Sequence, residues 1–333
     1  MLNSIDFKAL NVVAILGAAI ISAAAHASPI VKIDGSSTVF PITEAVAEDF
    51  QISKRGAVRV TVGISGTGGG FKKFCRDEID IVNASRPITV TEMEACKQQG
   101  VQYIEMPVAY DALTVVINPK NTWSQTLTIA QLKQIWEPEA QGKILNWNQI
   151  NPEWPDKKIK LYGPGADSGT FEYFTEAVVG KAKSSRGDFT ASEDDNVLVQ
   201  GVASDTFALG FFGFAYYIEN IKKISAVAVD SGNGGVIPSA VTVENGSYNP
   251  LSRPLLIYVN AKSIEKPEVV DFVNFYMKNA MELVAEVKYF PLAKSIYDLN
   301  LDHLNQKKVG TMFEHGSGVN VKLEEVLKKE PRL

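Results

Sequence analysis

Histidine and cysteine are scarce, with three of the first and two of the second in 333 residues. Zinc centres draw three or four ligands from such residues at short spacings like His-Glu-x-x-His, and no such spacing occurs. A serine-hydrolase arrangement on Ser168 fares no better. Beyond residue 27 only His303 and His315 could act as its base, both near the C-terminus, and no Gly-x-Ser-x-Gly elbow is present. Nucleotide signatures are missing too: "GGGFKKF" lacks the Gly-Lys-Ser/Thr of a phosphate loop, and Gly-x-Gly-x-x-Gly is nowhere found. Positive charge is in deficit, and a formal net charge of −5 excludes a broadly basic nucleic-acid surface. After residue 27 no apolar run approaches the ~18 residues of a membrane span. These absences leave no metal or organic cofactor to be expected, and they favour binding over catalysis.

What is present begins with a leader. Lys8 is followed by an almost wholly apolar run from Val12 to Ala25 and by the small-residue pattern Ala25-His26-Ala27. This predicts a signal peptide over residues 1–27, cleaved near Ala27, and a periplasmic mature chain starting near Ser28. No cysteine stands at the cleavage point to carry a lipid anchor. In an oxidising compartment Cys75 and Cys96 are expected to pair, two separately buried thiols being the alternative. The composition, 45% hydrophobic and 21% charged, is that of a globular protein, and the length exceeds what one core comfortably organises. Two lobes are therefore expected.

Strand and helix patterns alternate through the N-terminal third, as in a wound α/β layer. A strand is predicted at 30–33, a helix at 41–50 with proline in its first turn, a strand at 58–62, a glycine-rich loop at 63–70 and a helix at 71–78. A buried strand follows at 79–82, then a helix capped by Thr91 and Glu94 that stops at Gly100. "VAYDALTVVINP" reads as a long extended segment, "LTIAQLKQIW" as a helix, 158–162 as a strand and "ALGFFGFAYY" as an aromatic strand. A second extended segment covers 254–259. Val269, Phe272, Val273, Tyr276, Ala280, Leu283 and Val284 then keep helical spacing, and the stretch to Leu333 reads as another amphipathic helix. Two extended segments flanking a central block imply one lobe interrupted by another, with a ligand cleft between them.

Three loops share one chemistry. "DGSSTVFP" places Ser36, Ser37 and Thr38 before a helix, more hydroxyls than a cap requires. "GISGTGGGF" adds Ser65 and Thr67 with glycines that let backbone approach a ligand. "GADSGTFEYF" sets Asp167, Ser168, Gly169 and Thr170 at a helix start, where amide groups lack intrahelical partners and favour anions. Together they describe a cage for a small oxyanion, whose burial demands a nearby cation. Arg86 in "NASRPIT" is the candidate, at the carboxyl end of a buried strand and able to present a bidentate fork.

These motifs, with "NWNQINPEWPD", occur in an order that resembles the periplasmic phosphate-binding proteins of phosphate ABC importers over nearly the whole mature chain. The resemblance implies an α/β, two-lobed type II periplasmic binding fold with two crossover strands as hinge. Lobe I would comprise 28–110 plus 257–333 and lobe II 111–256. It implies phosphate capture and delivery to a membrane permease by a monomer, with sulfate or molybdate as other oxyanions and a secreted hydrolase or surface interaction protein as further readings. Carried over by position, Ser37, Thr38, Val39 and Phe40, then Ser65 or Thr67, then Ser168, Gly169 and Thr170 supply the donors. The best-known branch has an aspartate after the Ala-Ser pair and an arginine four residues before Ser-Gly-Thr, where this chain has Arg86 and Pro164. The proton-accepting carboxylate would then be Asp167, with Asp34 and Asp111 as weaker candidates.

Overall fold

The computed structural model describes residues 28–166, 168–192, 194–313, 323–326 and 329–333. The predicted signal peptide, Asp167 and His315 lie outside these residues. In chain order the first elements are β1 (Ile30–Gly35), α1 (Phe40–Ser53), β2 (Arg59–Val62), α2 (Gly66–Phe74), β3 (Ile81–Ala84), α3 (Val90–Gln98) and β4 (Tyr103–Ile117). A central block holds β5 (Thr126–Thr128), α4 (Ile129–Trp136), β6 (Lys160–Gly163), α5 (Gly169–Phe174), β7 (Thr190–Ala191), α6 (Asp195–Ser204) and β8 (Ala208–Gly213). It continues through α7 (Phe214–Glu219), β9 (Ser225–Ala226), β10 (Ala228–Asp230), β11 (Gly235–Val236) and α8 (Ala240–Glu244). The return is made by β12 (Ser252–Asn260), α9 (Pro267–Glu286), β13 (Phe290–Pro291), α10 (Lys294–Asn305) and α11 (Leu323–Val326).

The main sheet runs β2-β1-β3-β12-β4-β8-β6-β7, with β13 and β9 pairing on β4. Parallel strands β1, β2 and β3 build one side, and parallel β6, β7 and β8 the other. β4 joins them: its residues 103–112 pair with β12 and residues 113–117 with β8. All fifteen residues of β4 are buried, which explains why this strand reads as a nearly unbroken apolar run. The result is the two-lobed α/β architecture expected from the sequence, with β4 and β12 as its crossovers.

Packing follows the predicted stripes. All seven positions that marked α9 are buried, and Phe50 of α1 meets Phe272 and Phe275 of α9 edge-on at 5.3 and 5.5 Å. In the other lobe Trp136 is wedged among Phe174, Phe189 and Phe211. Cys75 and Cys96 form a disulfide that ties the end of α2 to α3. Closing a loop over a separation of 21 residues stabilises by about 3 kcal/mol. Replacing both cysteines by serine should lower unfolding free energy by about that amount in urea titrations.

Several boundaries differ from the sequence reading. α2 starts at Gly66, inside the glycine-rich stretch, because the glycines serve helix packing: a Cβ on Gly70 would lie 2.6 Å from Gly35 Cα and 2.7 Å from Val82 Cγ2. The buried strand β3 is two residues later than predicted, whereas the α3 cap lies two residues earlier. Thr89 and Glu92 form the capping box, not Thr91 and Glu94; the overlapping Thr-x-x-Glu patterns are told apart by Arg86, which holds Glu92. The aromatic strand ends at Gly213 and "FAYY" opens α7. Among the described residues the last stretch is helical only over Leu323–Val326, and Thr311 and Arg332 exchange backbone hydrogen bonds as an isolated bridge.

One buried acid holds this end of the molecule together. Glu105 accepts from Tyr258 Oη at 2.7 Å, from Thr311 Oγ1 at 2.5 Å and from the Met312 amide at 2.8 Å. Burial pushes its carboxyl up from 4.5 to about 7 despite those donors. Between these two values the folded form keeps a proton that the unfolded chain has lost, so stability falls as pH rises across the window and levels off above it. The decline should amount to ~3 kcal/mol and be much reduced in Glu105→Gln, as read from urea midpoints at pH 5 and pH 8.

Candidate functional site

The cleft is closed where two helix starts meet. α1 begins after Thr38 and Val39, and α5 begins at Gly169; a Cβ added to Gly169 would collide with Thr38 Oγ1 and come within 3.0 Å of Ser37 Oγ. Into this junction comes Arg253 from β12, only 6% exposed. Its Nη2 donates to Thr38 Oγ1 at 3.3 Å, to the Gly169 carbonyl at 3.5 Å and to Asp111 Oδ2 at 3.3 Å, with Nε donating to the same carboxylate oxygen. The guanidinium lies 3.9 Å from the centre of the Tyr173 ring. One side chain thus touches both lobes and both crossovers.

The position of Arg253 follows from register. Asp111 of β4 and Arg253 of β12 are directly opposite in the antiparallel pair, so the charges face each other on one side of the sheet. Burial pushes the Asp111 carboxyl up from its ordinary value, and the nearby Arg253 charge offsets only part of this. All four of these hydrogen bonds from Arg253 are long, 3.3 to 3.5 Å, and Nη1 donates none among the described residues. A buried guanidinium with donors to spare calls for an acceptor.

The other expected residues sit in several different settings. Ser37, Thr38 and Gly169 meet at the junction, and Ser168 caps α5 by accepting from the Thr170 amide at 3.2 Å. The first loop does not cap α1 with a hydroxyl: Val39 occupies the cap position, the Phe40 amide donates to the Ser36 carbonyl and the Thr38 amide to Ser36 Oγ. Thr67 and Ser85 form a buried hydroxyl pair at 3.1 Å, with the Ser85 amide also donating to Thr67 Oγ1. Ser65 is bound to Asp34, which also pairs with Lys73. Burial alone would raise the Asp34 carboxyl, but the hydrogen bonds from Lys73 and Ser65 outweigh it and hold the group below its usual range. Arg86 lies beside Gly68, but its fork is taken by both oxygens of Glu92 at 2.9 Å.

Residues 22–280 match the PBP superfamily domain. Over 301 residues the chain is 52% identical to Protein SphX of Synechocystis sp., covering 90% of this chain and 89% of that one. It is 38% identical over 271 residues to the phosphate-binding protein PstS of Staphylococcus saprophyticus, covering 80% and 82%. The chain belongs to the PBP superfamily, with phosphate-binding protein PstS among its relatives. Among solved structures, a possible phosphate binding protein from Planctomyces limnophilus superposes with a TM-score of 0.76 at 48% identity, over 84% of this chain and 99% of that one. An ABC-type phosphate transport receptor from Vibrio cholerae shares the fold at a TM-score of 0.64 and 24% identity.

Reading this PstS-like chain by loops alone passed over Arg253, Ser85 and Tyr173. Arg253 did leave a signal. Asp111 and Arg253 are opposite charges, the first interrupting one apolar crossover segment and the second standing directly before the other, and a charge inside a buried strand needs a partner or a ligand. Ser85 had the weaker signal of standing next to Arg86 at a strand end. Tyr173 had none, because an aromatic residue in the first turns of a short helix ordinarily serves the core.

Proposed function

We propose that this PstS-like protein captures inorganic phosphate between its lobes and delivers it to an ABC import permease, as an exported monomer that performs no chemistry on its cargo. The observation that carries the reading is the meeting of Thr38, Gly169 and the buried, incompletely bonded Arg253 at the point where the lobes touch. Three sources of hydrogen-bond donors converge there: the hydroxyls of Ser37 and Thr38, the start of α5 with Ser168, Gly169 and Thr170, and the guanidinium. Thr67 in the first turn of α2 and Ser85 just after β3 extend the donor set, and the Val39 amide adds to it. Arg253 supplies the main positive charge. Arg86, already paired with Glu92, adds a weaker field at the flank.

The carboxylates bear on selectivity. Asp34 is held ionised by Lys73, whereas Asp111 sits against the Arg253 fork, where an oxyanion proton could be received. A carboxylate beside the ligand repels fully deprotonated sulfate and accepts the proton of hydrogen phosphate. Each charge-assisted hydrogen bond contributes about 1.5–3 kcal/mol, so a handful reaches the micromolar scale of about −8 kcal/mol. Calorimetry at neutral pH should therefore show phosphate binding at micromolar strength or tighter and sulfate at least about a hundredfold weaker. Absence of heat with phosphate would overturn the proposal; equal heats with sulfate would remove the carboxylate from it.

A further inference from the structure

Beside the junction of Thr38, Gly169 and Arg253 lies a cavity of about 260 Å³. Thr170 and Asp111 line it, so it begins where the proposed phosphate donors end. Both lobes build the rest. Phe214 and Tyr216 of α7 come from one, Tyr289 and Phe290 at the start of β13 from the other, and the rings of Phe214 and Phe290 meet at 4.7 Å. The size lies just below the ~300–1,000 Å³ of small-molecule pockets. An inorganic oxyanion held by hydroxyls, amides and a guanidinium gains nothing from four aromatic rings. A short organic arm on phosphorus does.

The charge of the walls says which arm. Asp195 lines the cavity on the α7 side, and the Tyr216 phenol is pushed up by burial and then by Asp195, Asp194 and Glu219. The Tyr289 phenol is raised by burial and next by Asp111. Lys288, exposed to solvent, also lines the cavity. Aromatic faces backed by carboxylates are the surroundings that recognise an ammonium group.

We propose that this cavity is a second subsite that accepts the organic arm of a phosphonate or phosphate monoester, with preference for a short arm ending in ammonium. The proposal rests on the phosphate reading: the phosphorus group occupies the oxyanion seat, and the arm leaves it past Thr170 into the aromatic chamber. Phosphate itself would leave the chamber to water.

Competition calorimetry on the mature protein tests this, with inorganic phosphate bound first and 2-aminoethylphosphonate, ethylphosphonate or phosphonoacetate as displacer. The aminoethyl compound should displace phosphate with an affinity within about thirtyfold of it and at least about tenfold above phosphonoacetate, with ethylphosphonate between them. Ala215→Phe, which fills the cavity away from the donors, should keep phosphate affinity within about twofold and weaken the aminoethyl compound at least about tenfold. Asp195→Asn should shrink the advantage of the aminoethyl over the ethyl arm. If phosphate binds but about a thousandfold excess of the aminoethyl compound leaves it in place, the subsite is refuted while phosphate capture stands. Displacement that Ala215→Phe and Asp195→Asn both leave unchanged refutes it equally. Failure of phosphate itself to bind refutes the capture reading, and the subsite with it.

Discussion

Replacing Arg253 by glutamine is expected to weaken phosphate binding at least a hundredfold, about 3 kcal/mol, because two or more charge-assisted hydrogen bonds disappear from a water-poor site. The same change should also cost stability, since Asp111 is left buried without its partner, a loss of about 3–5 kcal/mol for a broken buried pair. The two effects separate in the double variant Arg253→Gln with Asp111→Asn, where no unpaired charge remains in the crossover. Its urea midpoint should recover most of the loss while phosphate affinity stays low. Recovery of both would assign Arg253 to the hinge alone.

The second large effect is expected at Gly169. A methyl group there meets Thr38 Oγ1, which could escape only by turning its side chain and giving up the hydrogen bond from Arg253. Gly169→Ala should therefore hold the lobes apart. Phosphate affinity is expected to drop more than about tenfold, and the compaction on adding phosphate, read as a fall in radius of gyration by small-angle scattering, should vanish. Fold stability should change little, because the glycine lies at a surface between lobes rather than in a core. Unaltered binding in this variant would mean that the contact between Gly169 and Thr38 plays no part in closure.

Much of the architecture was legible because burial imposes period. α9 shows its core face as a helical stripe, β4 and β12 show theirs as nearly unbroken apolar segments, and the cysteine pair follows from the expected compartment and number. Boundaries were blurred wherever two local signals compete. "TVTEME" contains two overlapping capping boxes, and only the grip of Arg86 on Glu92 selects the first. The glycines of "GTGGGF" look like a loop, but they let α2 lie against β1, a tertiary demand that local propensity cannot express.

The candidate site was legible as loops and not as charge. Hydroxyl-rich turns at strand ends announce themselves over a few residues, as Ser37, Thr38, Ser168 and Gly169 do. The counter-charge depends on a register between strands more than a hundred residues apart. Arg86 is the cation nearest the motifs in sequence; Arg253 is the one that reaches the junction in space, and its pairing with Asp111 arises from β4 facing β12.

A crystal structure of the phosphate complex tests the central claim most directly. It should show the ligand within hydrogen-bond distance, ~2.7–3.2 Å, of the Arg253 guanidinium, Thr38 Oγ1 and the amides at the start of α5. Phosphate bound elsewhere, with Arg253 still donating only to Asp111, Thr38 and Gly169, would contradict the account.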